Sequence, residues 1–549
     1  AVPGRYSGQG NGLADCEFYR RNAQLARLPR NADYHGRSPY DYVSGYFERA
    51  FRADPAWRGR QVIFLLDELS RSQKGTLYLN GRKLADLPEG AFFEIPLPAE
   101  RLKFGEDNFL TIHAVDDGGY WNWRGIKGDT ALLIKPPVTA EYPGIVTSVT
   151  RKTITFELTL RNRSAAPATL RAEARIAGGD APDAFVSPDV TLAPGEEKTI
   201  SFGGRWENPR LWSPDTPHLY TAHFQLKSSS GILIDEPEPV RFGFREFELR
   251  GRDYYLNGSR IHLFNHDGWA NASSDPEEAR RVARTLKRLG YNSVRTLFPV
   301  EAKDNYPDNI MRICDEEGLL QFVNLDGVTG REFAIWNDPE VRRNLETRMA
   351  ASIRRRRNHP SCVMYFLSSN FLGYGWYYHP LKMADGYLPA FQKSRAGICS
   401  EAGKIMRKYD PSRPFFFQAG GNFGPVITSN AYFCWWPQAE RNAWPEVWSA
   451  IGTKPLHIIE TGFPYIRSFY GMDLQYPGEK PLFYHENLAR YYGPAVYRDS
   501  DREMLASTAA STQGKAAEVY YDAPWHQKLR SDLLRETIPL WRSFGISGI

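Results

Sequence analysis

DPEEARRVARTLKRLGYNSVRTLFPVEAKDNYPDNIMRICDEEGLLQFV, residues 275 to 323, reads as helix, strand, helix, strand. Asp275 stands as an N-cap, Pro276 takes the first helical position, and Gly290 falls just past the end. Asn292-Ser293-Val294-Arg295 is a short strand. A second helix runs from Asp308 to Glu317 and stops at Gly318, before the apolar strand Leu319-Leu320-Gln321-Phe322-Val323. Helices alternating with short apolar strands are the repeat of a parallel sheet.

The repeat continues toward the C-terminus. A helix from Asp338 to Arg357 ends in four arginines, which reads as a solvated helix end suited to the negative pole of the dipole. Strands follow at Cys362 to Leu367, Phe415 to Phe417, Ile427 to Tyr432 and Lys454 to Ile459. Gly545-Ile546-Ser547-Gly548-Ile549 looks like the start of an eighth strand, cut at its first residues. Upstream, Ile261 to Phe264 supplies a first strand ending at Asn265-His266-Asp267, after a hairpin at Asn257-Gly258. About 300 residues of this pattern fit a (β/α)8 barrel.

Toward the N-terminus the period changes from helical to alternating. Tyr46 to Phe51, Gln61 to Leu66, Thr76 to Leu79, Phe93 to Leu97 and Asn108 to Ile112 are short strands, with a hairpin signal at Asn80-Gly81. They predict a jelly-roll β-sandwich over 1–136. Thr153 to Leu160, Ala168 to Ile176 and Lys198 to Phe202 predict an immunoglobulin-like β-sandwich over 137–248, with the barrel over 249–549. The expected class is therefore multidomain β plus α/β.

Composition narrows the partners. A net charge of +5 over 549 residues gives no case for nucleic acid, and no apolar run is long enough to span a bilayer. The five cysteines are scattered, without metal-ligand spacing, so no metal site or cofactor is expected. Asn162, Asn257 and Asn271 sit in sequons that carry no weight alone. The chain begins at Ala1 rather than Met, so a leader has been removed or the chain trimmed. The expected location is secreted or periplasmic, with cytoplasmic as the alternative. The oligomeric state stays open, a homo-oligomer included.

Chemistry concentrates at strand tips. Lys454-Pro455-Leu456-His457-Ile458-Ile459-Glu460-Thr461-Gly462 delivers one carboxylate to the end of a buried strand, where the loops of a parallel barrel build active sites. The bland alternative is a strand-end Glu paired to a neighbouring Arg. Tyr374, Trp376, Tyr377 and Tyr378, and then Trp435 and Trp436, fall in loops after strands and offer faces for sugar stacking or plain loop packing. The segment from Gly118 to Ile126, with three aromatics among glycines, reads as a plug between domains, with a sugar-contacting loop as the alternative. Gly420-Gly421-Asn422-Phe423-Gly424 lacks the Lys-Ser/Thr of a phosphate loop and reads as a flexible turn.

Leu211-Trp212-Ser213-Pro214-Asp215-Thr216-Pro217-His218-Leu219-Tyr220, followed by Arg241-Phe242-Gly243-Phe244-Arg245-Glu246, resembles the signature of glycoside hydrolase family 2. That resemblance implies two β-sandwiches before a barrel and a retaining, exo-acting β-glycosidase of the β-galactosidase, β-glucuronidase or β-mannosidase type. It implies Glu460 as nucleophile, with Arg295 holding its carboxylate and Tyr432 contacting the same group. His266 and Asp267 match a turn that lines the sugar site. Asp326, Ser369, Trp435 and Trp436 complete the expected substrate contacts, the substrate being an oligosaccharide or glycoside. Some β-galactosidases of the family use magnesium.

The pattern breaks at one position. The family's acid/base Glu ends a strand that begins Asn-His-Pro-Ser, and here Asn358-His359-Pro360-Ser361 leads through Leu367 to Ser368-Ser369-Asn370. Retaining hydrolysis uses a nucleophile and an acid/base about 5 Å apart, and an amide cannot give up and retake a proton. Asn370 would then hydrogen-bond the sugar. Asp326, Glu332, Asp385 or Glu486 could transfer the proton instead. Otherwise the asparagine was introduced to trap a complex, the substrate has a good leaving group, or the protein binds glycan without cleaving it.

Overall fold

The structure is a computed structural model that describes residues 44–69, 73–87, 91–116, 126–179, 181–182, 184–266, 276–296, 306–325, 338–367, 380–381, 396–418, 420–430, 438–461, 494 and 524–549. Its first sandwich packs a four-stranded sheet (Ser44–Arg52, Asp107–Asp116, Gln73–Leu79, Arg82–Leu87) against a three-stranded one (Ala91–Leu97, Gln61–Leu69, Ile126–Lys135). Alternation explains the pairing. Leu77, Leu79, Leu110 and Ile112 point inward to meet Val62, Phe64 and Leu66. The Asn80-Gly81 turn has positive φ at both residues, 53° and 75°, as a two-residue hairpin requires.

The second sandwich sets the sheet Glu197–Arg205, Thr153–Asn162, Val138–Ser148 against a six-stranded sheet built around Ala168–Ala177 and Tyr220–Ser228. Phe156, Leu158, Phe224 and Leu226 fill the space between, all fully buried. Two of the three sequons are structural. Asn162 is buried and donates to the carbonyls of Ala166, Leu192 and Ala193. Asn257 accepts from the Glu246 N–H and donates to Trp212 O. Asn271 and the aromatic segment 118–125 lie outside the described residues.

The barrel strands are β1 (Asn265–His266), β2 (Ser293–Thr296), β3 (Leu320–Asn324), β4 (Cys362–Leu367), β5 (Phe415–Phe417), β6 (Ile427–Asn430) and β7 (Leu456–Glu460). Strands β1 to β5 form one parallel ladder and β6–β7 a second. Between β5 and β6 the ladder is interrupted, and Thr428 Oγ1 bridges by donating to Phe417 O at 2.5 Å. The last residues take the place expected of an eighth strand. Gly548 forms parallel bridges to both Leu263 and His457, with Ile458 N donating to Gly548 O at 2.9 Å.

The helices are α1 (Pro276–Arg288), α2 (Tyr306–Glu317), α3 (Pro339–Arg356), α4 (Ala396–Tyr409), α5 (Gln438–Ile451) and α6 (Pro524–Ser543). In α1 the buried residues are Ala279, Ala283 and Leu286, one stripe at helical spacing. Gly318 ends α2 at φ 71°, and a Cβ there would lie 2.3 Å from Pro214 O, so the close approach of sandwich to barrel needs glycine. No helix among the described residues is long and apolar enough to cross a membrane.

Three local expectations change. Ile261 does not start the barrel strand. It ends a small sheet (Phe247–Arg250, Asp253–Leu256, Ser259–Ile261) whose Phe247, Tyr254 and Leu256 pack with Phe322, Phe366 and Phe416 of the barrel interior. The arginine run at the C-terminal end of α3 is not a solvated end but a joint with the second sandwich. Arg354 lies 4.4 Å over the Tyr142 ring, Arg356 is buried, and Arg357 donates to Glu157 at 2.8 Å and to Tyr142 O at 2.7 Å. The sandwich edge presents carbonyls and a carboxylate there, and guanidinium forks satisfy them. The glycine-rich turn 420–424 is anchored, because Lys454 Nζ donates to Asn422 Oδ1 at 2.8 Å and to Gly424 O at 3.2 Å.

The Asn-His-Pro-Ser run before β4 belongs to the same joint. Asn358 accepts from Ile145 N and donates to Pro143 O. His359 Nδ1 lies 2.6 Å from Asp315 Oδ2, and Ser361 Oγ donates to Asp315 Oδ1 at 2.5 Å. Trp212 of the signature stretch is fully buried and donates from Nε1 to Asp315 O at 2.8 Å. The stretch that carries the family resemblance therefore serves to lock sandwich to barrel.

Candidate active site

Glu460 is the last residue of β7, at the C-terminal end of the barrel. Its strand is buried along Leu456 to Ile459, and the carboxylate emerges with 21% of the side chain exposed. Arg295 on β2 reaches across the interior. It is 1% exposed, lies 5.9 Å above the Phe366 ring, and places Nη2 3.6 Å from Glu460 Oε1. Gln418, one residue past β5, donates from Nε2 to the same oxygen at 3.0 Å. Three strand ends thus converge on one carboxylate oxygen, Gln418 as a hydrogen-bond donor and Arg295 as the paired cation.

His457 sits three residues earlier on β7 and is fully buried. Its ring meets Phe322 edge-on at 5.0 Å, and Nδ1 lies 3.4 Å from the Tyr254 hydroxyl. Burial, followed by the charge of Arg295, pushes the imidazole down to about 3. A neutral ring leaves Arg295 as the cation facing Glu460 from the barrel core. Asn430 at the tip of β6 pairs with Glu460 in the ladder, and its buried amide meets no hydrogen-bond partner among the described residues. His266 ends β1 at the same face, its ring edge-on to Tyr291 at 5.0 Å.

Of the residues singled out from sequence, the structure brings Arg295 to Glu460 and places His266 on the same rim. Asp267, Asp326, Ser369, Asn370, Tyr432, Trp435 and Trp436 lie outside the described residues, as do Glu332, Asp385, Glu486 and the cluster from Tyr374 to Tyr378. Gln418, His457 and Asn430 were not anticipated. The rule that singled out Glu460, a polar residue closing a buried apolar strand, also selects Gln418 and Asn430. Among the described residues no group of three or more His, Cys, Asp or Glu is arranged to hold a metal ion. A tethered carboxylate beside a buried cation can act as a nucleophile or as a base.

The sequence matches two family models. The one described as "Glycosyl hydrolases family 2" covers 141–245, and "Glycosyl hydrolases family 2, TIM barrel domain" covers 245–485, together more than half of the chain. Among solved structures, the chain is similar to a β-glucuronidase 2 from Bacteroides uniformis bound covalently to cyclophellitol-6-carboxylate aziridine. The TM-score is 0.61 at 19% identity, over 78% of this chain and 54% of that one. A glycosyl hydrolase family 2 member from Bacteroides cellulosilyticus gives 0.59 at 19% identity, over 81% and 59%. A β-galacturonidase from Eisenbergiella tayi bound to galacturonate gives 0.60 at 18% identity, over 77% and 74%. The chain spans about half the length of the β-glucuronidase it matches. At these identities the likeness is one of fold.

Proposed function

The chain belongs to glycoside hydrolase family 2, and from that premise we propose that it is a retaining, exo-acting β-glycosidase acting on terminal β-linked sugars. The observation that carries the reading is the convergence of Arg295 and Gln418 on Oε1 of Glu460 at the barrel's C-terminal rim. Glu460 attacks the anomeric carbon and forms a glycosyl ester as the aglycone oxygen leaves. Water then cleaves that ester with net retention. Arg295 and Gln418 fix the direction of the attacking carboxylate, and His457, held neutral, keeps a second cation out of the core. The similarity to a β-glucuronidase and a β-galacturonidase makes a uronic acid glycoside the first substrate to try.

Asn370 supports a second reading, a glycan-binding homologue that keeps the fold and lacks the acid. Aryl β-glycosides assayed beside the matching natural disaccharides separate the two, because an aryl leaving group needs little protonation and a sugar needs a real acid. Turnover of both classes means that a carboxyl elsewhere supplies the proton. Turnover of the aryl series alone means a working nucleophile without an acid. Binding with no turnover of either would contradict the hydrolase reading.

Gln418 gives a graded check. Its hydrogen bond runs to a carboxylate, a class worth about 1.5–3 kcal/mol. Gln418→Leu is therefore expected to lower kcat/KM on an aryl glycoside by about ten- to hundredfold. An unchanged rate would show that Gln418 merely packs.

A further inference from the structure

Asn430 closes β6 at the rim that carries Glu460. It is 3% exposed, and neither Oδ1 nor Nδ2 meets a hydrogen-bond partner among the described residues. Buried side-chain amides are ordinarily bonded, because a dry amide has given up its water without replacement. Gln418, the amide just past the neighbouring strand, shows the ordinary case by donating to Glu460 Oε1 at 3.0 Å. With Arg295 paired to the same oxygen, the carboxylate is already served. Asn430 stands beside it for something else.

Two observations fix where the amide points. Asn430 is the register partner of Glu460 between parallel strands, so the two side chains leave the same face of the ladder. That face is the barrel interior, because Glu460 meets the buried Arg295 there. Alternation along β6 agrees. Ile427 packs outward with Trp444 and Trp448 of α5, and Asn430, an odd number of residues further on, faces the other way. The amide therefore faces the same space as the Glu460 carboxylate.

We propose, resting on the glycosidase reading, that Asn430 positions the substrate by binding the 2-hydroxyl of the sugar whose anomeric carbon Glu460 attacks. A side chain one strand away from the nucleophile reaches the atoms next to that carbon, which are the ring oxygen and the 2-hydroxyl. The ring oxygen takes up positive charge in the oxocarbenium-like transition state, so an N–H aimed at it would oppose the reaction. The 2-hydroxyl both gives and accepts, as the amide does. As positive charge grows at the anomeric carbon, the hydroxyl becomes a better donor. Its bond to Oδ1 then strengthens on the way to the transition state and favours kcat as well as binding.

The test compares the wild type with Asn430→Leu, which keeps the shape of the side chain and loses its polarity. Each is assayed on the 4-nitrophenyl β-glycoside that the wild type cleaves fastest, and on the 2-deoxy counterpart of that compound. The variant is expected to lose about tenfold or more in kcat/KM on the parent glycoside, and to match the wild type within about twofold on the 2-deoxy compound. The unliganded variant should keep or raise its Tm, because the amide has no hydrogen-bond partner among the described residues to lose. Asn430→Ala, measured alongside, controls for the bulk of leucine. Equal losses on the two glycosides, no loss on either, or a fall in Tm of several degrees in both variants would overturn the inference. If the wild type cleaves none of the compounds, the glycosidase reading fails on its own. Dissociation constants of the tightest-binding glycoside and its 2-deoxy counterpart then decide the inference by the same comparison, and absence of binding would overturn it too.

Discussion

Glu460→Gln is expected to lower kcat on every cleaved glycoside by on the order of 10⁴-fold or more, as removal of a nucleophile does elsewhere, while leaving glycan affinity within a few-fold. The amide has the shape of the carboxylate but cannot form the glycosyl ester. The contacts around it argue for a small structural cost, because 21% of the Glu460 side chain is exposed and the strand beneath it is buried independently. Circular dichroism and a thermal melt of the variant separate loss of chemistry from loss of fold. Residual turnover above about 1% of wild type would remove Glu460 from the nucleophile's role, since that is a hundredfold loss where about 10⁴-fold is expected.

The second large effect concerns stability. Asp410 is 3% exposed and accepts from the Tyr365 hydroxyl at 2.9 Å, Arg413 Nη1 at 2.8 Å, and the Ser412 N–H and hydroxyl. It pairs with the buried Arg413, and its charge also acts on the buried Arg245. Asp410→Asn leaves both without it. Uncompensating a buried ion pair costs about 3–5 kcal/mol, a large share of the roughly 5–15 kcal/mol that holds a typical fold together. A drop in Tm of several degrees or more is expected, and an unchanged Tm would mean the pair contributes nothing.

The same residue sets a pH dependence. Burial by itself would raise the Asp410 carboxyl, but the Arg413 charge and the three donors outweigh it and leave it below the ordinary value of 3.8. A carboxyl depressed in the folded state stabilises fully at pH above its unfolded value. That stabilisation is lost as pH falls from 3.8 through the folded value. Wild-type protein should therefore lose stability in that window more steeply than Asp410→Asn, as followed by denaturant midpoints at successive pH values.

The sequence made the architecture legible because its periods are clean. Thr153 to Asn162 alternates, Ala279, Ala283 and Leu286 repeat at helical spacing, and Asn80-Gly81 and Asn257-Gly258 mark turns that need positive φ. Glu460 and Arg295 were legible as single residues at strand ends and in family motifs. The meeting of Arg295 and Glu460 depends on strands more than 150 positions apart, and the bond from Gln418 joins strand ends 42 positions apart, pairings that the strand-end rule alone does not give. The arginines at the end of α3 misled for the same reason. A charge run looks solvated until the sheet that receives it, with Glu157 and the Tyr142 carbonyl, is brought alongside. Asn358, His359 and Ser361 read as the entry to a catalytic strand, and their side chains turned out to serve the joint beneath it.

As the proposed nucleophile, Glu460 forms a covalent bond to the sugar. Mass spectrometry of the intact and digested protein, after reaction with activated 2-deoxy-2-fluoro-β-glycosides that form the glycosyl ester quickly and release it slowly, tests this most directly. One added glycosyl unit is expected, located on the peptide that carries Glu460. Measurable turnover of the parent glycoside with no adduct, or with the adduct on another carboxylate, would contradict it.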